Sequence, residues 1–66
     1  MKLTINGNKT EYGESLTVAG LLEKLEIAPA RVAVEVNLAI VKKAEYGEHE
    51  LKDGDSVEIV NFVGGG

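Results

Sequence analysis

Val18, Leu21, Leu22 and Leu25 stand at i, i+3, i+4 and i+7, which on a helix lays them in one apolar stripe with Glu23, Lys24 and Glu26 outside it. No other stretch of the sequence carries a convincing helical period. Thr17 is the natural N-cap, because its hydroxyl can accept from a backbone N–H of the first turn. Gly20 in that turn costs about 1 kcal/mol relative to alanine, and close packing of the helix on a sheet is the expected reason for it. The helix has to end before Pro29, whose ring pushes the preceding residue out of the helical region. Ile27 is expected to cover the end of the core.

Elsewhere the period is two. Lys2, Leu3, Thr4 and Ile5 alternate and run into Asn6-Gly7, a strong short-range hairpin signal, with residues 8–12 as the returning strand. That strand buries little beyond Tyr12 and the Thr10 methyl, so it is predicted as an edge whose charge discourages pairing with other chains. Val32, Val34 and Val36 share one face of a second strand with Ala33 and Glu35 on the other, and Asn37, Leu38 and Ala39 turn it back into Ile40, Val41 and Lys42. Residues 43–51 are irregular, with room for a 3₁₀ segment at 44–46 and Leu51 returning to the core. Lys52, Asp53, Gly54 and Asp55 form a turn, Gly54 supplying any positive φ, and feed the last strand.

The predicted order is hairpin, helix, hairpin, irregular crossing, strand. One helix can bury one stripe only against one face of a sheet built from all the strands, which makes a two-layer α+β domain. The first and last strands are the natural central pair. The expected fold class is α+β, a ubiquitin-like β-grasp, with a mixed sheet of about five strands packed on one helix. Residues 1–63 are expected to form this single domain and residues 64–66 a glycine tail.

Composition narrows the chemistry. A chain of 66 residues buries only about 60% of its unfolded surface, and with no cysteine it has no disulfide, thiolate metal site or thiol nucleophile. Its one histidine, His49, cannot form a metal cluster alone. A net charge of -4 argues against binding a phosphate backbone or an anionic membrane, and suits a partner with positive charge around its docking site. No bilayer-spanning run and no leader pattern is present, so a soluble cytoplasmic protein is expected.

What remains is the end of the sequence. Val57, Ile59, Val60 and Val63 bring a β-branched strand directly into Gly64, Gly65 and Gly66. Glycine suits a backbone that must lie closer to another surface than any Cβ allows, and three extended residues reach about 10 Å into a channel. The candidate reacting group is the main-chain carboxylate of Gly66, an anion at neutral pH and a poor acyl donor until it is activated.

Asn6 near the first turn, the Thr17-Val18-Ala19-Gly20-Leu21-Leu22 helix start, the hairpin Val36-Asn37-Leu38-Ala39-Ile40-Val41, the Asp53-Gly54-Asp55 turn and the final Gly65-Gly66 together resemble the ThiS family, the sulfur carriers of thiamine biosynthesis. The likeness covers the whole chain. It implies a protein substrate rather than an enzyme, with no cofactor bound and ATP used by an activating partner. A ThiF-type adenylyltransferase would adenylate Gly66, sulfur from a cysteine desulfurase pathway would leave a thiocarboxylate there, and a ThiG-type thiazole synthase would receive it. Gly65 would occupy the narrow approach beside Gly66. Members often carry alanine or another small residue where this chain has Gly64, which gives the tail more entropy to lose on threading. A MoaD-type carrier of molybdopterin synthase, a ubiquitin-like modifier and a β-grasp interaction module are the alternatives.

Alternation in the last strand assigns Val57 and Ile59 to the core and leaves Val60 and Phe62 exposed beside the tail. An apolar patch there, rimmed by acids, is the expected docking surface for the partner enzymes. The competing expectation is that the 43–51 crossing covers that face.

Overall fold

The computed structural model describes residues 1–61. Strands β1 (Lys2–Ile5) and β2 (Asn8–Glu11) form the first hairpin, helix α1 (Val18–Lys24) follows, β3 (Val32–Val36) and β4 (Ala39–Val41) form the second hairpin, and β5 (Ser56–Asn61) comes last. Short 3₁₀ turns stand at Pro29–Arg31 and Lys43–Glu45. The sheet order is β2-β1-β5-β3-β4, with β5 parallel to β1 and antiparallel to β3. The last strand is therefore central with the first beside it, as the order of elements predicts. Five strands on one helix make the β-grasp arrangement.

The core follows from the two periods. Leu3, Ile5, Val32, Val34, Val36 and Val57 line one face of the sheet, and Val18, Leu21 and Leu22 cover it from the helix, all of them buried. Each such side chain contributes about 1.5–3 kcal/mol by leaving water. Leu16, Val41, Tyr46 and Leu51 close the margins. Leu51 returns to the core as expected, whereas the burial of Leu16 and Tyr46 has no periodic signal, since both stand in irregular chain.

Leu25 does not take the place its spacing gave it. The helix stops at Lys24, Leu25 is its C-cap, and its side chain is 37% exposed. The chain leaves the helix through Glu26 at φ +58, with Glu26 N–H donating to the Glu23 carbonyl at 3.0 Å and Ile27 N–H to the Leu22 carbonyl at 2.9 Å. This is a Schellman stop, in which Glu26 occupies the left-handed position usual for glycine and Ile27 folds back onto the core. The helix thus ends well before Pro29 forces it to.

Gly20 also has a different explanation from the one expected. A Cβ on Gly20 would meet Thr17 Oγ1 at 3.4 Å and Leu16 Cδ2 at 3.5 Å, so its neighbours are the helix's own cap and lead-in rather than the sheet. Thr17 Oγ1 accepts from Gly20 N–H at 3.0 Å, as an N-cap should. The other free donors of the first turn are satisfied by the crossing: Val18 N–H reaches the His49 carbonyl at 2.9 Å and Ala19 N–H the Tyr46 carbonyl at 2.8 Å. Leu51 N–H then donates to the Leu16 carbonyl at 2.9 Å. The irregular crossing is therefore the seat of the helix N-terminus.

Candidate functional site

β5 is the element that leads towards the glycines, and alternation splits it between two environments. Val57 is fully buried and Ile59 packs against the core, while Glu58 and Val60 point to the other face, Val60 being 57% exposed. The sequence assignment of Val57, Ile59 and Val60 holds. Phe62, Val63, Gly64, Gly65 and Gly66, to which the rest of the expected docking and reacting site belongs, lie outside the described residues.

Register arranges the face around Val60. Ala33 lies opposite Val60, and Glu35 sits between Glu58 on one side and Ile40 on the other. Ile40 is 77% exposed and Leu38, in the adjoining turn, 89%. The crossing leaves this surface open: Val60 stays exposed, and the longer-range backbone hydrogen bonds of the crossing run to residues 16–19 at the start of the helix. What is presented is an apolar surface with two carboxylates directly across from each other in its middle. Such a surface complements a partner face that is apolar with positive charge.

Both hairpin turns also reach β5. Asn6 at φ +48 and Gly7 at φ +85 make the first two-residue turn, and Asn37 at φ +51 with Leu38 at φ +71 the second. Asn6 Oδ1 accepts from Ile59 N–H at 2.7 Å while its Nδ2 donates to the Ile59 carbonyl at 3.2 Å. Asn37 Oδ1 accepts from Ser56 N–H at 2.9 Å, and its Nδ2 donates to Asp55 Oδ1 at 2.9 Å. Sequence reasoning used both asparagines only as turn formers. The available signal was that asparagine opens each turn, a residue that tolerates positive φ and still carries a donor and an acceptor.

The described residues hold little else that could do chemistry. No group of three or more His, Cys, Asp or Glu among them could hold a metal ion. His49 serves the fold through its backbone carbonyl. The Tyr46 hydroxyl donates to the Val32 carbonyl at 3.3 Å, and burial pushes its pKa above the ordinary value, with the backbone at Val34 acting the other way. No helix among the described residues is long and apolar enough to cross a membrane.

Comparison with known proteins agrees with this architecture from end to end. The ThiS family model matches residues 3–66. The sulfur carrier protein ThiS of Bacillus subtilis is 40% identical over 65 residues, covering 97% of this chain and 98% of that one. A thiazole synthase of Paramagnetospirillum magneticum is 48% identical over all 66 residues, and the chain spans 20% of that protein's length. The crystal structure of the thiamine biosynthesis protein ThiS of Geobacter metallireducens superposes with a TM-score of 0.86 at 40% identity, each chain covered in full. With the family model matched over residues 3–66 and the fold of a ThiS protein matched over the full chain, the chain belongs to the ThiS family of sulfur carrier proteins.

Proposed function

We propose that this chain takes up sulfur at the carboxylate of Gly66 and delivers it to thiazole formation in thiamine biosynthesis. In this reading residues 1–63 are the body and residues 64–66 the tail that enters a partner. The Gly66 carboxylate attacks the α-phosphorus of ATP on a ThiF-type adenylyltransferase, and pyrophosphate leaves. The terminal sulfur of a persulfide from a cysteine desulfurase pathway then attacks the acyl carbon, and AMP departs with the bonding pair. A thiol cleaves the resulting acyl disulfide, releasing the sulfur on the acyl carbon and leaving a disulfide behind. The product is a thiocarboxylate, a better nucleophile than the carboxylate it replaces. Adenylation supplies the leaving group a carboxylate lacks. The chain is the substrate of these steps and contributes presentation, not catalysis.

The observation that carries the choice of acceptor is the match to a thiazole synthase. A segment 48% identical to this chain makes up a fifth of that protein. A carrier covalently joined to the enzyme it feeds works at high effective concentration, an arrangement useful only if that enzyme is the acceptor. A ThiG-type thiazole synthase is the corresponding partner here. The exposed face around Val60 supports docking to it and to the adenylyltransferase, with Phe62 the second proposed contact on the alternation of the sequence alone.

The test is growth and mass together. A strain lacking the gene and any second carrier of this type should need thiazole or thiamine, and the full chain but not a version ending at Gly64 should restore growth. Incubation with the adenylyltransferase, ATP and a sulfur donor should add about 16 Da, sulfur replacing oxygen in the activated acyl group. An alanine appended after Gly66 should abolish the gain. Loss of molybdenum-dependent activities with thiamine synthesis intact would replace thiazole by molybdopterin as the acceptor.

A further inference from the structure

The two-residue turn at Asn6 ends β1 early on the side of β5. Ile5 pairs with Val57, and no later residue of β1 stands beside β5. In the β1–β5 ladder Thr4 N–H donates to the Asp55 carbonyl at 3.0 Å and Asn6 N–H to the Val57 carbonyl at 2.9 Å, so the odd-numbered residues of β5 turn their backbone groups towards β1. The next such residue is Ile59. Its N–H and carbonyl point where β1 has already left, and both are taken by the single side chain of Asn6, at 2.7 and 3.2 Å. The amide group supplies the acceptor and donor that a continuing β1 would have offered.

We infer that Asn6 is a positioning residue for the reacting end: by clamping Ile59, seven residues before Gly66, it fixes the course of β5 on the way to the tail. This rests on the proposed chemistry at Gly66. Two features separate the role from ordinary stabilisation. Both hydrogen bonds are exposed, where water can replace them, so they add little to stability. The clamp is also asymmetric along β5. Asn37 holds the start of the strand from the other hairpin, at Ser56 and Asp55, whereas Asn6 alone holds its far part on the β1 side. Past Ile59 the described ladder is one-sided, with Ala33 opposite Val60 and Val32 opposite Asn61. Ile59 lies seven residues before the carboxylate, a separation of at most roughly 23 Å, so the course of β5 at Ile59 bears on where those residues begin. Misplacement of a reacting group by about 1 Å can lower a rate by up to 10²-fold.

The experiment compares Asn6→Gly with Asn37→Gly, since glycine keeps the left-handed turn and removes only the side chain. Steady-state adenylation is measured with the carrier as the varied substrate, alongside thermal melts and amide exchange. Asn6→Gly should expose the Ile59 N–H to exchange and lower kcat about tenfold, with KM changed less than twofold. Asn37→Gly should loosen Ser56 and leave kcat within twofold. Unchanged kcat in Asn6→Gly, or equal losses in both variants, would overturn the positioning role while the wild type still gains its sulfur. A wild type that takes no sulfur at Gly66 would overturn the carrier chemistry and this inference with it.

Discussion

The two faces of the sheet are made from the same strands and have opposite contents. On the helix side Val32, Val34 and Val36 of β3 meet Val57 of β5 and disappear from solvent. On the other side Ala33 and Glu35 of β3 meet Val60 and Glu58 of β5, and Val60 stays 57% exposed. One strand thus carries buried core side chains on one face and exposed apolar and charged ones on the other. A domain this small needs the first face for folding. The second face is free to hold apolar side chains and like charges that a stability optimum would not select.

Substitutions on each face should separate the two roles. The largest effect is expected from Leu22→Ala, which opens the covered side under the helix: a loss of about 2–5 kcal/mol in a denaturant titration, with the remaining folded fraction docking normally. Val60→Ala should do the reverse. Calorimetric titration against the adenylyltransferase should show affinity weakened by more than about 1 kcal/mol, with the melting temperature nearly unchanged. A large stability loss with intact affinity would move Val60 to the structural side of the comparison.

A smaller effect concerns the hydroxyl of Tyr46 at the margin of the covered side. Burial raises its folded pKa, so the folded chain holds the phenolic proton more tightly than the unfolded chain. The stabilisation is present in full below the unfolded value near ~10 and is lost as pH climbs through the raised folded one. Tyr46→Phe should remove this alkaline loss, at a cost of about 1 kcal/mol near neutrality for the missing hydrogen bond to Val32. The smallest change is Glu58→Gln on the open face. It removes the charge facing Glu35 and should stabilise the isolated domain by about 0.2–1 kcal/mol, while weakening binding to a positively charged partner in low salt. A gain in both would show that the carboxylate pair plays no part in docking.

The sequence by itself determined the kind and order of the elements, because helix and strand periods are local and the turns at Asn6-Gly7 and Lys52 to Asp55 announce themselves by residue type. It also determined which of Val57, Ile59 and Val60 face the helix, since alternation needs no knowledge of neighbours. Tertiary structure decided the rest. Leu25 has the right spacing for the core, yet the helix stops one residue short of it, since the Schellman bonds of Glu26 and Ile27 end the helix before the proline does. Leu16 and Tyr46 are buried because the crossing is anchored on the helix N-terminus, a contact between segments that carry no period of their own. Asn6 meets Ile59 across 53 positions of sequence. A turn asparagine declares its backbone preference locally, but which strand lies within reach of its amide depends on how β1, β5 and the turn are registered in space.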